Sequence, residues 1–211
     1  MVIVNAVVVV RDVLGMGQRE VAITLAAYGA GSMIAAFALP RILDRIVMMA
    51  AATAMCAMLA VLAATTAYYE NAPLFWPAIL CGWFLLGIAY SASVTPAGRL
   101  LKRSANPDDR PAVFAAQFAL SHACWLIAYP LAGQLGAGPG QATAFGALAA
   151  LAGIGVLLAR RVWRAPDPDA LEHRHDELPL DHPHIRDQHG GQLAKAHNFV
   201  IADLHPVWPV P

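Results

Sequence analysis

The sequence predicts an all-α integral membrane protein: a helical bundle of five full transmembrane spans, preceded by a truncated first helix and followed by a mostly irregular tail. Three observations predict it. The 211-residue chain is 58% hydrophobic and only 13% charged, against about 25% charged in an ordinary soluble domain. Five apolar runs are each long enough for the roughly 20 helical residues that a hydrocarbon core demands. The charge is also segregated: the segment after Arg164 holds eight acidic and three basic residues and seven of the eight histidines. Residues 1–164 therefore read as a membrane body, and 165–211 as a separate soluble tail.

The elements follow in order. "MVIVNAVVVV" is apolar but only ten residues long, which at about 1.5 Å per residue covers roughly half of a bilayer core. It lacks the basic start and small-residue cleavage site of a signal peptide. We expect it to be the second half of a helix whose first half is missing; a short half-buried segment is the other reading. Full spans are expected at Val21–Pro40, Ile46–Tyr69, Leu74–Gly98, Pro111–Gly133 and Gln141–Ala159, each bounded by charges or by turn signals such as "GAGPG". Tyr68, Tyr69, Trp76 and Trp163 stand at span ends, where interfacial aromatics collect.

Alternate connections carry nine and two Lys/Arg residues. The positive-inside rule places the nine, and with them the tail, in the cytoplasm. Ala27, Gly31 and Ala35 form a small-residue stripe, and Gly146, Ala149 and Gly153 another, as close helix packing in lipid requires. "YGAGSM" has no following lysine and lies mid-span, so it reads as packing rather than as a phosphate loop. Cys56, Cys81 and Cys124 sit in apolar runs without metal-ligand spacing and read as small buried hydrophobes.

Polar groups inside the spans are the candidate functional residues, because they are costly there and usually face a bundle interior or a wet cavity. In "FAAQFALSHACWLIAY", Gln117 and Ser121 share one face, and Phe118, His122, Trp125 and Tyr129 line its neighbour. His122 has the chemistry to take up and release a proton; the competing reading is a neutral histidine bonded to a neighbouring helix, with the aromatics filling space. Tyr90, Ser91, Ser93 and Thr95 give the preceding span a polar half ending at Pro96. Their hydroxyls either re-satisfy the backbone near the proline or line a solute path. No HExxH, paired intramembrane acid or nucleophile with a positioned base is present, so an enzyme is not expected. Neither is a nucleic-acid partner.

The tail contains "EHRHD" and "DHPHIRD". His173, His175, His182, His184 and His189 are the imidazoles available to a Ni, Zn or Co ion, although Pro179 and Pro183 break any helix between the two units. A histidine-rich tail that merely stays solvated is the competing reading. No cofactor is expected in the body. The terminal "HNFVIADLHPVWPVP" is apolar enough to dock on the body or lie at the interface.

"ALPRILDRI", "GIAYSASVTPAGRLLKRS" and "RPAVFAAQFALSHACWLIAYPLAG" together resemble the C-terminal half of major facilitator superfamily transporters, most closely bacterial efflux members of the drug- or nickel-resistance type with a histidine-rich tail. Such carriers have two six-helix halves. The resemblance thus implies half of a twelve-helix transporter fold, with the five full spans as the eighth to twelfth. It implies proton-coupled efflux of a small solute or metal cation, a multi-pass place in the cell inner membrane, and a partner in the form of the missing N-terminal half or a second copy. The family's loop motif G-x-x-x-D-R-x-G-R keeps only Asp44 and Arg45 here; Pro40, Val47 and Met48 replace its other residues. By the resemblance that pair gates the inward-facing state, while by itself it reads as an interfacial anchor. A membrane-anchored metal-binding module without transport, and an inert fragment, stand as the other functional readings.

Overall fold

The computed structural model describes residues 2–38, 45–163, 170–174, 179 and 194–198. The chain starts in a helix, α1 (Val2–Val8), whose β-branched residues stay helical because a backbone in lipid must satisfy its own polar groups. It continues directly into a π-helical turn, Val9–Val13, in which the Leu14 amide donates back to the Val9 carbonyl at 3.0 Å. Gly15, at φ 64°, then turns the chain, a left-handed conformation that glycine adopts without strain.

α2 (Gln18–Ala38) is started by Glu20, whose carboxylate accepts the Gly17 amide at 3.1 Å. That is one arm of a capping box, with the acid also favourably placed at the helix N-terminus. α3 (Arg45–Tyr69) and α4 (Phe75–Val94) follow. Pro96 carries no amide proton and separates α4 from α5 (Ala97–Ser104), a short amphipathic helix. α6 (Arg110–Ala137) begins with a proline in its first turn and contains Pro130. Gly140, at φ 107°, makes the turn into α7 (Gln141–Val162).

Among the described residues, five helices are long and apolar enough to cross a membrane: α2, α3, α4 continued through α5, α6 and α7. They coincide with the five expected spans to within a few residues, and the short apolar start is indeed helical. The tail, expected to be mostly irregular, contains one pairing among the described residues: β1 (Ala170–Arg174) runs antiparallel to β2 (Ala194–Asn198), with Ala170 opposite Asn198. The terminal apolar segment lies outside the described residues.

α4 is the centre of the bundle, packed between α2 and α3, while α3 packs against α7. Trp83 of α4 meets Phe145 of α7 edge to face at 5.9 Å, and Leu59, Leu62, Leu86 and Leu148 close around the pair. Most members of the two expected small-residue stripes lie at helix contacts. Gly31 is buried against the Phe84 backbone of α4, and Ala35 is buried one turn on. Gly153 abuts the Cys56 sulfur, and the Cys56 thiol donates to the Ala149 carbonyl at 3.3 Å. α6 is the exception: Ala132 is its only buried residue, so most of this span faces away from the other helices.

Candidate functional site

α6 carries its polar and aromatic residues on the surface that the bundle leaves open. The Phe118 and His122 rings are 3.8 Å apart, His122 and Trp125 4.5 Å, and Trp125 and Tyr129 6.0 Å. The i, i+4, i+7, i+11 spacing thus becomes one continuous ladder of rings. The His122 Nδ1 and the Phe118 carbonyl oxygen are 2.8 Å apart. Because a carbonyl only accepts, Nδ1 carries the proton in the neutral ring, and Nε2 is the nitrogen able to take up another. Ser121 donates to the same carbonyl at 2.9 Å, and Gln117 is exposed one turn before it. Among the described residues, His122 is therefore held by its own helix.

The two α4 candidates part company. Tyr90 is half exposed, and its ring lies 6.1 Å from that of Tyr28 on α2. Ser91, one residue on, is turned about 100° around the helix; it is buried, with its hydroxyl 3.3 Å from that of Thr95. Ser93 donates to the Ala89 carbonyl at 2.9 Å. The hydroxyls before Pro96 thus bond within α4 and its break, as side chains near a proline can, while Tyr90 faces the open side.

Tyr28 of α2 and Tyr90 of α4 thus form an aromatic pair that carries two hydroxyls. Sequence reasoning did not single out Tyr28. Its signal was a hydroxylated aromatic embedded in the small-residue stripe that brings α2 against α4. Asn5 was also missed. It lies on α1, is fully buried, and neither polar atom of its amide has a partner among the described residues. A lone amide in an apolar decapeptide was the available signal, since intramembrane polar groups are functional candidates by default.

Of the loop pair, Asp44 lies outside the described residues. Arg45 reaches across the bundle to the end of α7: its Nε donates to the Trp163 carbonyl at 2.8 Å, a second guanidinium nitrogen donates to the same oxygen, and the guanidinium sits 5.9 Å from the Trp163 ring centre. A cation there satisfies a carbonyl at a helix C-terminus and complements the helix dipole. Arg160 reaches back to the Thr53 hydroxyl at 3.3 Å, so α3 and α7 are fastened twice at this end.

Of the tail histidines, His173 falls in β1, opposite Lys195 of β2. His175, His182, His184 and His189 lie outside the described residues, among which no group of three or more His, Cys, Asp or Glu is placed to hold a metal ion.

The family model of the Major Facilitator Superfamily matches residues 1–204. No curated protein and no solved structure matches the chain. With five membrane-length helices in one bundle and a family match across nearly its whole length, the chain belongs to the Major Facilitator Superfamily of transporters.

Proposed function

We propose that this bundle is the C-terminal half of a proton-coupled efflux carrier, exporting a small solute or a metal cation from the cytoplasm. The carrying observation is the exposed aromatic ladder of Phe118, His122, Trp125 and Tyr129 on α6, with a second aromatic pair, Tyr28 and Tyr90, between α2 and α4. The span that supplies the ladder is the one least covered by its own bundle. Alternating access works by rocking one repeat against another around a site between them, and this surface is where an N-terminal half, or a second copy of the chain, would close. Stacked rings attract cations through their faces, and the His122 Nε2 is a place for a proton. Arg45 and Arg160 tie α3 to α7 at the end bearing nine of the basic residues. By the positive-inside rule this end, with the tail, is cytoplasmic in an inner membrane.

Proteoliposomes holding the chain with its partner half, loaded with a pH-sensitive dye, test the reading. Addition of an aromatic amine drug or Ni²⁺ should drive counterflow of protons in the wild type. His122→Ala should abolish the proton movement while the drug still binds. Proton movement unchanged in that variant would remove His122 from the coupling step. Metal retention by the tail with no solute flux at all would favour the metal-binding module instead.

A further inference from the structure

At the end of the bundle opposite the Arg45–Trp163 contact, a cavity of about 490 Å³ lies among the π-helical turn after α1, the ends of α3 and α6, and the start of α7. Its size falls within the range of small-molecule pockets and is many times the share of a single water. The aromatic surface of α6 contributes nothing to it.

Among the described residues, two carboxylates, Asp12 and Glu70, line the cavity, and no lysine or arginine does. The π-helical turn bears on this directly, because it is the segment that carries Asp12 to the lining. Deeper in stand two neutral polar side chains, Thr66 and Gln141, only 2% and 5% exposed. The Thr66 hydroxyl and the Gln141 Oε1 are buried without a hydrogen-bond partner among the described residues. Buried polar atoms are rarely left so. Gly136 lies directly beneath the Gln141 amide, and a Cβ at that position would overlap the amide nitrogen. The glycine thus makes the room in which this side chain sits within the lining.

The backbone adds to the same sign. The cavity receives the C-terminal ends of α1 with its π-turn, of α3 and of α6, against one N-terminal end, that of α7. Helix C-termini carry partial negative charge. Carboxylates, helix ends and the unpartnered acceptors all ask for a positively charged hydrogen-bond donor. A bare metal ion is the poorer fit, because the described residues offer no third His, Cys, Asp or Glu to complete a ligand set. The remaining lining is largely Val, Ala, Gly and Pro, which suits an apolar body attached to the charge.

We propose that this cavity, lined by Asp12, Glu70, Thr66 and Gln141, is a binding site for an organic ammonium compound, with the ammonium N–H groups donating to the carboxylates and to the two buried acceptors. The site is separate from the α6 surface, and it is read by binding and not by transport, so it stands or falls apart from the efflux reading.

Isothermal titration of the full chain in lipid nanodiscs tests it, with phenethylammonium as probe and empty nanodiscs as blank. The wild type should bind one equivalent saturably. Asp12→Asn combined with Glu70→Gln should weaken binding by about tenfold or more, as expected for lost charge-assisted hydrogen bonds. Both carboxylates are exposed at the rim, so these changes leave the packing intact. Gln141→Leu should weaken binding as well, with circular dichroism verifying that the helices are retained. Glu20→Gln, which removes a carboxylate from the same end but outside the cavity, should leave it unchanged. Equal binding of neutral phenethyl alcohol, an unchanged constant in the double variant, or binding of Ca²⁺ or Na⁺ with exclusion of the amine would each overturn the assignment.

Discussion

Gly31 of α2 and Gly87 of α4 interlock backbone to backbone. A Cβ at Gly31 would overlap the Phe84 carbonyl oxygen, and one at Gly87 would overlap that of Tyr28. In lipid, where apolar side chains gain nothing by meeting one another, this intimacy is what holds two helices together. It also sets the height at which Tyr28 meets Tyr90, three residues along each helix from its glycine, their rings 6.1 Å apart. Gly87→Ala should destabilise the bundle by about 1–3 kcal/mol, the usual cost of overpacking. Gly29→Ala, where a Cβ meets nothing within 4 Å, should leave it unchanged. Thermal melts in detergent micelles compare the two.

Arg45 closes α7. Its guanidinium donates twice to the Trp163 carbonyl, so Arg45→Ala should fray the last turn of α7 at a cost of about 1 kcal/mol. Arg45→Lys, which cannot reproduce the forked geometry, should recover only part of the loss. Amide hydrogen exchange over residues 159–163 reads this directly; protection that stays unchanged in the alanine variant would show that the contact contributes nothing.

Asn5 should be a stability liability. Its amide is wholly buried and has no partner among the described residues, a condition that costs about 1–3 kcal/mol. Asn5→Leu, which keeps the same branched heavy-atom skeleton without the polar atoms, is therefore expected to raise the melting temperature. If it does so while lowering transport by the reconstituted carrier, the amide is kept for function. A lower melting temperature would mean that the amide is satisfied by a partner outside the described residues.

The tail can be tried for metal in the intact chain. Replacing His173, His175, His182, His184 and His189 with alanine should abolish any Ni²⁺ or Zn²⁺ binding tighter than about 100 µM, a level worth roughly 5–6 kcal/mol. Equilibrium dialysis against the unaltered chain measures it. Equal metal uptake by both would leave the solvated-tail reading in place.

The sequence by itself determined the spans. Length and hydropathy are local properties, and a bilayer turns them into helices with little room for alternatives. The small-residue stripes were legible for the same reason: Gly31, Ala35, Ala149 and Gly153 all lie at helix contacts. The α6 ladder was equally readable, because its rings follow one helix's own spacing. Which faces meet was another matter. These spans are apolar around most of their circumference, so no polar-to-apolar contrast marks an inner side, and partners are chosen by shape. Tertiary structure alone brought Tyr28 to Tyr90, turned Ser91 away from it, and carried Arg45 to a carbonyl 118 residues distant. It also gathered Asp12, Glu70, Thr66 and Gln141, drawn from three separate helical segments and a turn, around one cavity. Each of those residues looks ordinary in its own stretch of chain; only the crossing of the helix ends makes them neighbours.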